Sequence, residues 1–208
     1  RSGPESSYPG DFIEFGNYAV FSSVIGGSGD FREHGIWITD GTENGTELII
    51  NYSDTDIGHI ISFGGKFVFT LVEEPSEGNY IHKLVVSDGT EDGTNEIFST
   101  ANFRIEKLFQ STSQIYFGTS TGELWKTDGT EQGTVRIKDL NPDNLTRAEE
   151  AWWYNWLEVG DNVFFTSPHN QTELWKTDGT EQGTFIAKPG VTVSFWNAKP
   201  VNSVLIFA

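Results

Sequence analysis

The sequence Glu-Leu-Trp-Lys-Thr-Asp-Gly-Thr-Glu-Gln-Gly-Thr occurs at Glu123–Thr134 and again, unchanged, at Glu173–Thr184. Weaker copies lie at Gly35–Thr46 and Lys83–Thr94. All four copies share the core [Thr/Ser]-Asp-Gly-Thr-Glu-x-Gly-Thr, which we call the DGTExGT loop. Self-similarity at a spacing of roughly 40 to 50 residues is the signature of a repeat architecture. The chain is therefore an array of four repeat units.

A second repeat precedes each DGTExGT loop. It consists of two apolar runs around a two-residue turn, which is mostly built from Gly, Asn or Asp, as in tight hairpins. Its four copies are Phe12–Ser23, Ile60–Leu71, Leu108–Thr119 and Trp156–Ser167. Each unit thus contains two hairpins, which we label as strands A and B, joined by this turn, and strands C and D, joined by the DGTExGT loop.

Four strands in each unit of this length predict an all-β chain, specifically a β-propeller of four-stranded antiparallel blades. Consecutive apolar residues such as Ile36-Trp37-Ile38 favour sheets that are covered on both faces. A β-sandwich or another β-repeat is the alternative, although a sandwich should alternate more cleanly. The predicted boundaries are 1–11 for an N-terminal extension, 12–55 for blade 1, 56–103 for blade 2, 104–148 for blade 3, 149–192 for blade 4 and 193–208 for the start of a fifth blade, all in one propeller domain.

The repeat alignment also predicts which aromatic residues form the core. Phe21, Phe69, Phe117 and Phe165 occupy the same position of strand B in successive units. We expect all four to be buried at equivalent places, and we expect the DGTExGT loops to lie on one rim of the propeller.

The DGTExGT loop has a structural and a metal-binding interpretation. Asp can accept hydrogen bonds from nearby backbone N–H groups, and Gly tolerates the positive φ of a tight turn. Asp, Thr and Glu are also oxygen ligands for Ca²⁺, but each loop offers few carboxylates for one ion. We therefore predict a structural turn, with Ca²⁺ as the only cofactor considered and no other metal site. The residues concerned are Asp40, Gly41, Asp88, Gly89, Asp128, Gly129, Asp178 and Gly179.

The chain resembles the ELWxxDGT-repeat proteins. Leu124–Thr130 and Leu174–Thr180 carry this resemblance, while the tryptophan is replaced in Leu84-Val85 of the second unit. The resemblance implies a secreted or surface-anchored, often bacterial protein with a propeller-like fold and no established activity. The loop is also similar to the Asp-box of sialidase propellers, which is structural there.

The segment before blade 4 concentrates aromatic residues. Trp152, Trp153 and Tyr154 lie beside Glu149 and Glu150. Exposed aromatic rings stack on sugar faces, so these three residues are candidates for ligand binding. Packing in the core or between two blades is the favoured interpretation of this segment, and it is expected above all for Trp156, which aligns with apolar positions of the other units.

Composition excludes several classes of partner. The chain has 30 acidic residues against 13 Lys and Arg, a formal charge of −17. Nucleic acids and anionic membranes attract cationic proteins, so neither is an expected partner. No apolar run approaches the roughly 20 residues of a membrane-spanning helix, so membrane insertion is not expected. With no cysteine, the chain has no disulfide framework.

The expected setting is the cell surface or the extracellular space. We expect the chain to be a piece of a longer protein, since it starts without Met and stops in a strand pattern at Val204–Phe207. Such an unpaired strand edge favours self-association. Four sequons are candidates for glycosylation, and their acceptor residues are Asn44, Asn51, Asn144 and Asn170.

No catalytic motif is recognised in the sequence, and no catalytic residue is predicted. The favoured function is a non-enzymatic extracellular structural, adhesive or interaction module, for example in a surface assembly or filament, with a protein or glycan as partner. One alternative is a carbohydrate-binding propeller that uses the segment Trp152–Trp156. The other is a glycan-cleaving enzyme, which would need two carboxylates at a set separation.

Overall fold

The computed structural model describes residues 9–28, 31–53, 55–142, 153, 155–166, 173–190, 199–201 and 204–206. Every regular element in these ranges is a β-strand. Within the same ranges, no helix is long and apolar enough to cross a membrane. The predicted all-β class is confirmed.

Two compact units divide the chain, the first comprising Arg1–Asn102 with Gly129–Glu131 and the second comprising Phe103–Asp128 with Gln132–Ala208. The first unit contains two antiparallel sheets in which each strand pairs with the next along the chain. The strands of blade 1 are β1 (Gly10–Phe15), β2 (Tyr18–Ser28), β3 (Phe31–Thr39) and β4 (Thr46–Ser53). The strands of blade 2 are β5 (Thr55–Phe63), β6 (Lys66–Ser76), β7 (Asn79–Ser87) and β8 (Asn95–Thr100).

The second unit repeats this arrangement. The strands of blade 3 are β9 (Ile105–Gln110), β10 (Ile115–Thr119), β11 (Glu123–Thr127) and β12 (Val135–Asp139). The strands of blade 4 are β13 (Trp156–Val159), β14 (Asn162–Thr166), β15 (Glu173–Thr177) and β16 (Phe185–Pro189). A further antiparallel hairpin consists of β17 (Lys199–Val201) and β18 (Val204–Ile206).

The A–B hairpins turn where the sequence predicts. Gly16 and Gly160 have φ values of 61° in the turns of blades 1 and 4, a left-handed conformation that glycine adopts without steric cost. The flanking residues pair as Phe15 with Tyr18 and as Val159 with Asn162. These turns set the register of strands A and B, and with it the face on which each side chain lies.

A β-bulge recurs in strand D of every blade. The ladder between strands C and D shifts by one residue directly before the position of the motif tryptophan, at Ile36/Trp37, Leu84/Val85, Leu124/Trp125 and Leu174/Trp175. A bulge inserts one residue without a direct partner and bends its strand. Among the residues skipped in strand D, Ile97 and Ile137 are buried, so the bulge turns an aliphatic side chain into the core.

The core of each unit lies between two neighbouring blades. In the first unit, the blade 1–2 seam packs Val20, Ile36 and Ile50 of blade 1 against Phe67 and Phe69 of blade 2. In the second, the blade 3–4 seam contains Tyr116, Leu124, Ile137, Trp153, Val163 and Phe165. Sheets that are covered in this way read as continuous apolar runs, which explains the weak alternation in the sequence.

Burial of the four equivalent phenylalanines differs from the expectation at one position. Phe69, Phe117 and Phe165 are fully buried, so the prediction is confirmed for these three. Phe21 is only half-buried, and for this residue the prediction is wrong. The physical reason is that Phe21 lies on the face of blade 1 opposite to the blade 1–2 seam, where its ring contacts Phe12 and Trp37.

This difference predicts unequal effects of truncation. We expect Phe69→Ala to destabilise the first unit by about 3–5 kcal/mol, because it leaves a cavity in a packed seam. Phe21→Ala should cost clearly less, since its ring already faces solvent. Urea unfolding followed by circular dichroism of the two variants provides the measurement, and equal shifts of the midpoint would contradict the assignment of the seam.

Candidate functional site

Each DGTExGT loop is closed by its own aspartate and threonines. In blade 4, Asp178 Oδ1 accepts hydrogen bonds from the backbone N–H of Thr180 at 2.8 Å and from its hydroxyl at 2.7 Å. The Thr180 hydroxyl in turn accepts from the backbone N–H of Gly183 at 3.0 Å. Thr184 Oγ1 donates to the carbonyl oxygen of Thr180 at 2.6 Å. The same four bonds recur in the loops that begin at Asp40 and Asp88.

The loop geometry explains why its glycines are needed. Gly179 has a φ of 86°, which lies in the left-handed region. A Cβ at Gly183 would overlap the Asp178 carboxylate. The equivalent glycines at 45, 93 and 133 have the same conflict with Asp40, Asp88 and Asp128. The motif therefore encodes one compact turn.

The loop bonds also keep the aspartates ionised. The pKa of Asp178 is lowered, first by the Thr180 hydroxyl and then by its backbone N–H, because both groups favour the charged carboxylate. The Thr42 hydroxyl and the Thr90 hydroxyl lower the pKa of Asp40 and Asp88 in the same way. These contacts fit the structural interpretation of the loop, and Ca²⁺ binding stays the untested alternative. Among the residues that the structure describes, no three His, Cys, Asp or Glu side chains are grouped to hold a metal ion.

Of the three predicted ligand-binding residues before blade 4, Trp153 is the one that the structure describes. This residue is 4% exposed, and its indole N–H donates to the carbonyl oxygen of Thr119 at 3.0 Å. Its ring stacks on Trp156, with centroids 5.4 Å apart, and lies against Gly118, where a Cβ would overlap it. Trp153 therefore fills the blade 3–4 seam and leaves no open ring face for a sugar. Trp152 and Tyr154 lie outside the described residues.

A charged cluster occupies the blade 1–2 seam, and sequence reasoning missed it. Lys83 Nζ contacts Glu73 Oε1 at 2.8 Å and Glu96 Oε2 at 3.1 Å, which links strands B, C and D of blade 2. The side chains of Lys83 and Glu73 are 20% and 31% exposed. Tyr52 of blade 1 lies nearby, and burial raises the pKa of its phenol.

Hydrogen bonds within the cluster favour the charged forms of Lys83 and Glu96. Burial acts to lower the pKa of Lys83, but hydrogen bonds to Glu73 and Glu96 outweigh it and raise the pKa. For Glu96, burial acts to raise the pKa, but the hydrogen bonds from Ser99 and Lys83 outweigh it and lower the pKa. The cluster is thus an ion network with both carboxylates close to one ammonium group.

An open groove of about 470 Å³ lies on the outer face of blade 1. Phe12, Glu14, Ala19 and Gly41 are among the residues that line it. Phe12 is 62% exposed even though its ring stacks on Phe21 at 4.8 Å. This face differs from the corresponding face of blade 2, where Ile60 and Phe69 are buried.

Two of the four predicted glycosylation sites can be placed. Asn44 lies in the loop of blade 1 and Asn51 in β4, and both are exposed. Asn144 and Asn170 lie outside the described residues. Modification of these asparagines stays a prediction.

Comparison with solved structures defines the class of fold. The chain is similar to a prolyl endopeptidase, with a TM-score of 0.55 and 11% identity over 86% of this chain and 28% of that one. It is equally similar, at a TM-score of 0.55 and 11% identity, to the β-propeller domain of the Trilobed protease from Pyrococcus furiosus, over 90% of this chain and 59% of that one. An exo-β-1,3-galactanase from Clostridium thermocellum follows at a TM-score of 0.46 and 10% identity, over 90% of this chain and 49% of that one.

These likenesses establish that the chain has a β-propeller fold, built from four-stranded antiparallel blades. No protein-family model and no curated protein matches the chain. The chain spans 28% and 59% of the lengths of the first two structures.

The predicted non-enzymatic structural or adhesive function is wrong by this comparison. The two similar structures with a TM-score of 0.55 are a prolyl endopeptidase and the propeller domain of a protease, so the comparison gives no support to a purely structural role. At identities of 11% or less, the likeness establishes the fold and leaves the reaction open. The sequence prediction rested on missing catalytic motifs, and such motifs are short and specific to other folds.

The loop bonds predict a pH-dependent contribution to stability. Because the pKa of Asp178 is lowered on folding, its stabilisation is present above the unfolded value of about 3.8 and is lost as the pH falls through the lower folded value. Asp178→Asn should therefore lower the unfolding temperature at pH 7. The loss in free energy of unfolding should be at most about 1 kcal/mol, because the carboxylate is exposed and solvent screens it. The difference from the unmodified chain should narrow as the pH falls through the folded value.

Asp161→Asn is the matched control, since Asp161 lies in the A–B turn of blade 4, outside the loop. Thermal unfolding of the three proteins between pH 2 and pH 7 gives the comparison. A constant difference between Asp178→Asn and the unmodified chain over this range would rule out the loop carboxylate as the titrating group.

Proposed function

We propose that this chain is the propeller module of an enzyme, in which it places the substrate while the reacting groups lie outside the described strands. The fold likeness to the propeller domain of a protease and to a prolyl endopeptidase supports the enzymatic context. The ELWxxDGT resemblance supports a repeat module that is produced for the cell surface or for secretion.

The charged cluster around Lys83 supports the second part of the proposal, which is that the reacting groups lie outside the described strands. A general acid needs a raised pKa, so that it holds a proton near neutral pH. Glu96 has a lowered pKa, and it shares the ammonium group of Lys83 with Glu73. Glu96 therefore stabilises the blade as a carboxylate and is not poised to deliver a proton to a leaving group.

Net charge restricts the class of substrate. With a formal charge of −17, the chain repels polyanions over the range of the Debye length, about 8 Å at physiological ionic strength. The module is therefore suited to neutral or cationic polymers, such as polypeptides or uncharged glycans.

A second candidate places the reaction at the seam cluster itself. Retaining glycosidases hold two carboxyl groups roughly 5 Å apart. Glu73 and Glu96, which bond the same Nζ atom, are close enough together for this geometry. The two candidates differ in whether these carboxylates are needed for turnover.

The test uses the complete natural polypeptide that contains residues 1–208, assayed with fluorogenic peptides and nitrophenyl glycosides. We expect it to hydrolyse one of these substrate classes, and we expect Glu73→Gln and Glu96→Gln to retain its kcat/KM within about twofold. Glu47→Gln, an exposed residue of β4, is the matched control.

Each part of the proposal has its own contrary result. Absence of hydrolysis with both substrate classes would count against the enzymatic context. A loss of about 100-fold or more in Glu73→Gln or Glu96→Gln, with an unchanged unfolding temperature, would favour the second candidate, because loss of an acid or base has at least this effect.

A further inference from the structure

The outer face of blade 1 has the side chains of a blade interface but is open. Phe12, Glu14, Ala19 and Phe21 share this face, since Phe12 stacks on Phe21 and Glu14 pairs with Ala19 across strands A and B. The opposite face of the same sheet packs in the blade 1–2 seam. We call the outer one the open face.

The corresponding faces of other blades are covered. In blade 2, Ile60 is 4% exposed and Phe69 fully buried, where blade 1 has Phe12 and Phe21. In blade 4, Val163 and Phe165 occupy the positions of Ala19 and Phe21, and both are buried.

The loop glycines give the same contrast. A Cβ at Gly89 would meet the ring of Phe15 at 3.3 Å, and one at Gly179 would meet the Tyr116 hydroxyl at 2.9 Å. Both neighbours belong to the preceding blade. Among the described residues, nothing lies within 4 Å of this position at Gly41. The loop of blade 1 thus lacks the contact that the loops of blades 2 and 4 have. At Gly129 of blade 3, too, nothing lies within 4 Å of this position among the described residues.

The blade 3–4 seam shows which polar contacts a covered face of this kind makes with the preceding blade. The Glu158 carboxylate accepts from the Thr112 backbone N–H at 2.9 and 3.0 Å and from its hydroxyl at 2.9 Å. Lys138 Nζ donates to the carbonyl oxygen of Thr184 at 2.6 Å. Charge-assisted bonds of this kind are stronger than neutral ones.

Blade 1 keeps the acceptor side of these contacts. Glu14 occupies the position of Glu158 in the repeat, whereas blades 2 and 3 have Ser62 and Gln110 there. Thr46 occupies the position of Thr184 at the end of the loop. The open face therefore fits a blade that presents a lysine on strand D and a turn N–H between strands A and B.

Blade 4 presents the donor side. Lys188 pairs with Leu174 as Lys138 pairs with Leu124, so the two lysines are equivalent in register. Phe164 likewise corresponds to Tyr116. Lys188 is exposed and Phe164 half-buried, whereas Tyr116 is buried under blade 4.

We propose that the open face of blade 1 binds the Lys188 face of blade 4 in a second copy of this chain. The contact repeats the blade 3–4 seam between molecules, with Glu14 as acceptor and Lys188 directed to the loop of blade 1. Such a head-to-tail contact is heterologous, so each added copy leaves one acceptor and one donor face free.

Light scattering after size exclusion, over a dilution series, tests this proposal. We expect the average mass of the unmodified chain to rise with concentration above the 23.2 kDa of one copy. Phe12→Asp should remain at the mass of one copy, because it places a charge in the apolar part of the contact. Tyr80→Asp is the matched control, since Tyr80 is 50% exposed in blade 2, away from this face.

Mixing two variants tests the polarity of the contact. Lys188→Glu should weaken self-association at least about tenfold, because it reverses the charge of the donor. Phe12→Asp retains an intact donor face on blade 4, and Lys188→Glu retains an intact acceptor face on blade 1. Their mixture should therefore form a complex of two copies and nothing larger.

Three results would overturn the proposal. One is a constant mass of one copy for the unmodified chain at all concentrations. Another is self-association of Phe12→Asp equal to that of the unmodified chain. The third is a single-copy protein whose unfolding temperature falls in Phe12→Asp but not in Tyr80→Asp, which would assign the open face to a contact within one chain.

Discussion

The hydrogen bonds from one threonine to one aspartate oxygen are the constraint on which each described blade depends. In the loops at Asp40, Asp88 and Asp178, the carboxylate ties down a backbone N–H and a hydroxyl two residues later. The loop so formed sets the register between strands C and D. Register decides which face of the sheet each side chain occupies, and a slip by one residue would exchange core and surface.

Once the register is set, the two seams are filled by different means. The blade 1–2 seam uses aliphatic residues with Phe67 and Phe69, whereas the blade 3–4 seam adds the indole of Trp153. That ring fits because Gly118 provides no side chain where it lies. A fixed backbone frame thus accepts different residues as long as the volume between the sheets is filled.

The sequence allowed prediction of everything that depends on neighbours along the chain. Strand order, the turn at Gly16 and the closed loop at Asp178 follow from local residue chemistry, which recurs in each unit. The ion network of Lys83 and the half-exposed ring of Phe21 did not follow, and for Trp153 the sequence left ligand binding open beside packing between two blades. The ion network depends on side chains that meet across three strands of blade 2, and the exposure of Phe21 depends on what covers its face of blade 1, so the repeat pattern encodes neither.

The repeated positions are therefore a poor guide to function, because their chemistry is used within the fold. Asp178 and its counterparts satisfy their own loops, and Phe165 and its counterparts fill seams or stack on their own blade. Residues that differ between blades are not part of this shared chemistry. Glu14 and the partners of Lys83 are of this kind, since their positions hold other residue types in at least one other unit. A propeller built from near-identical blades acquires its specific interactions where the repeat is broken, and those positions are the ones on which a substrate or a partner can depend.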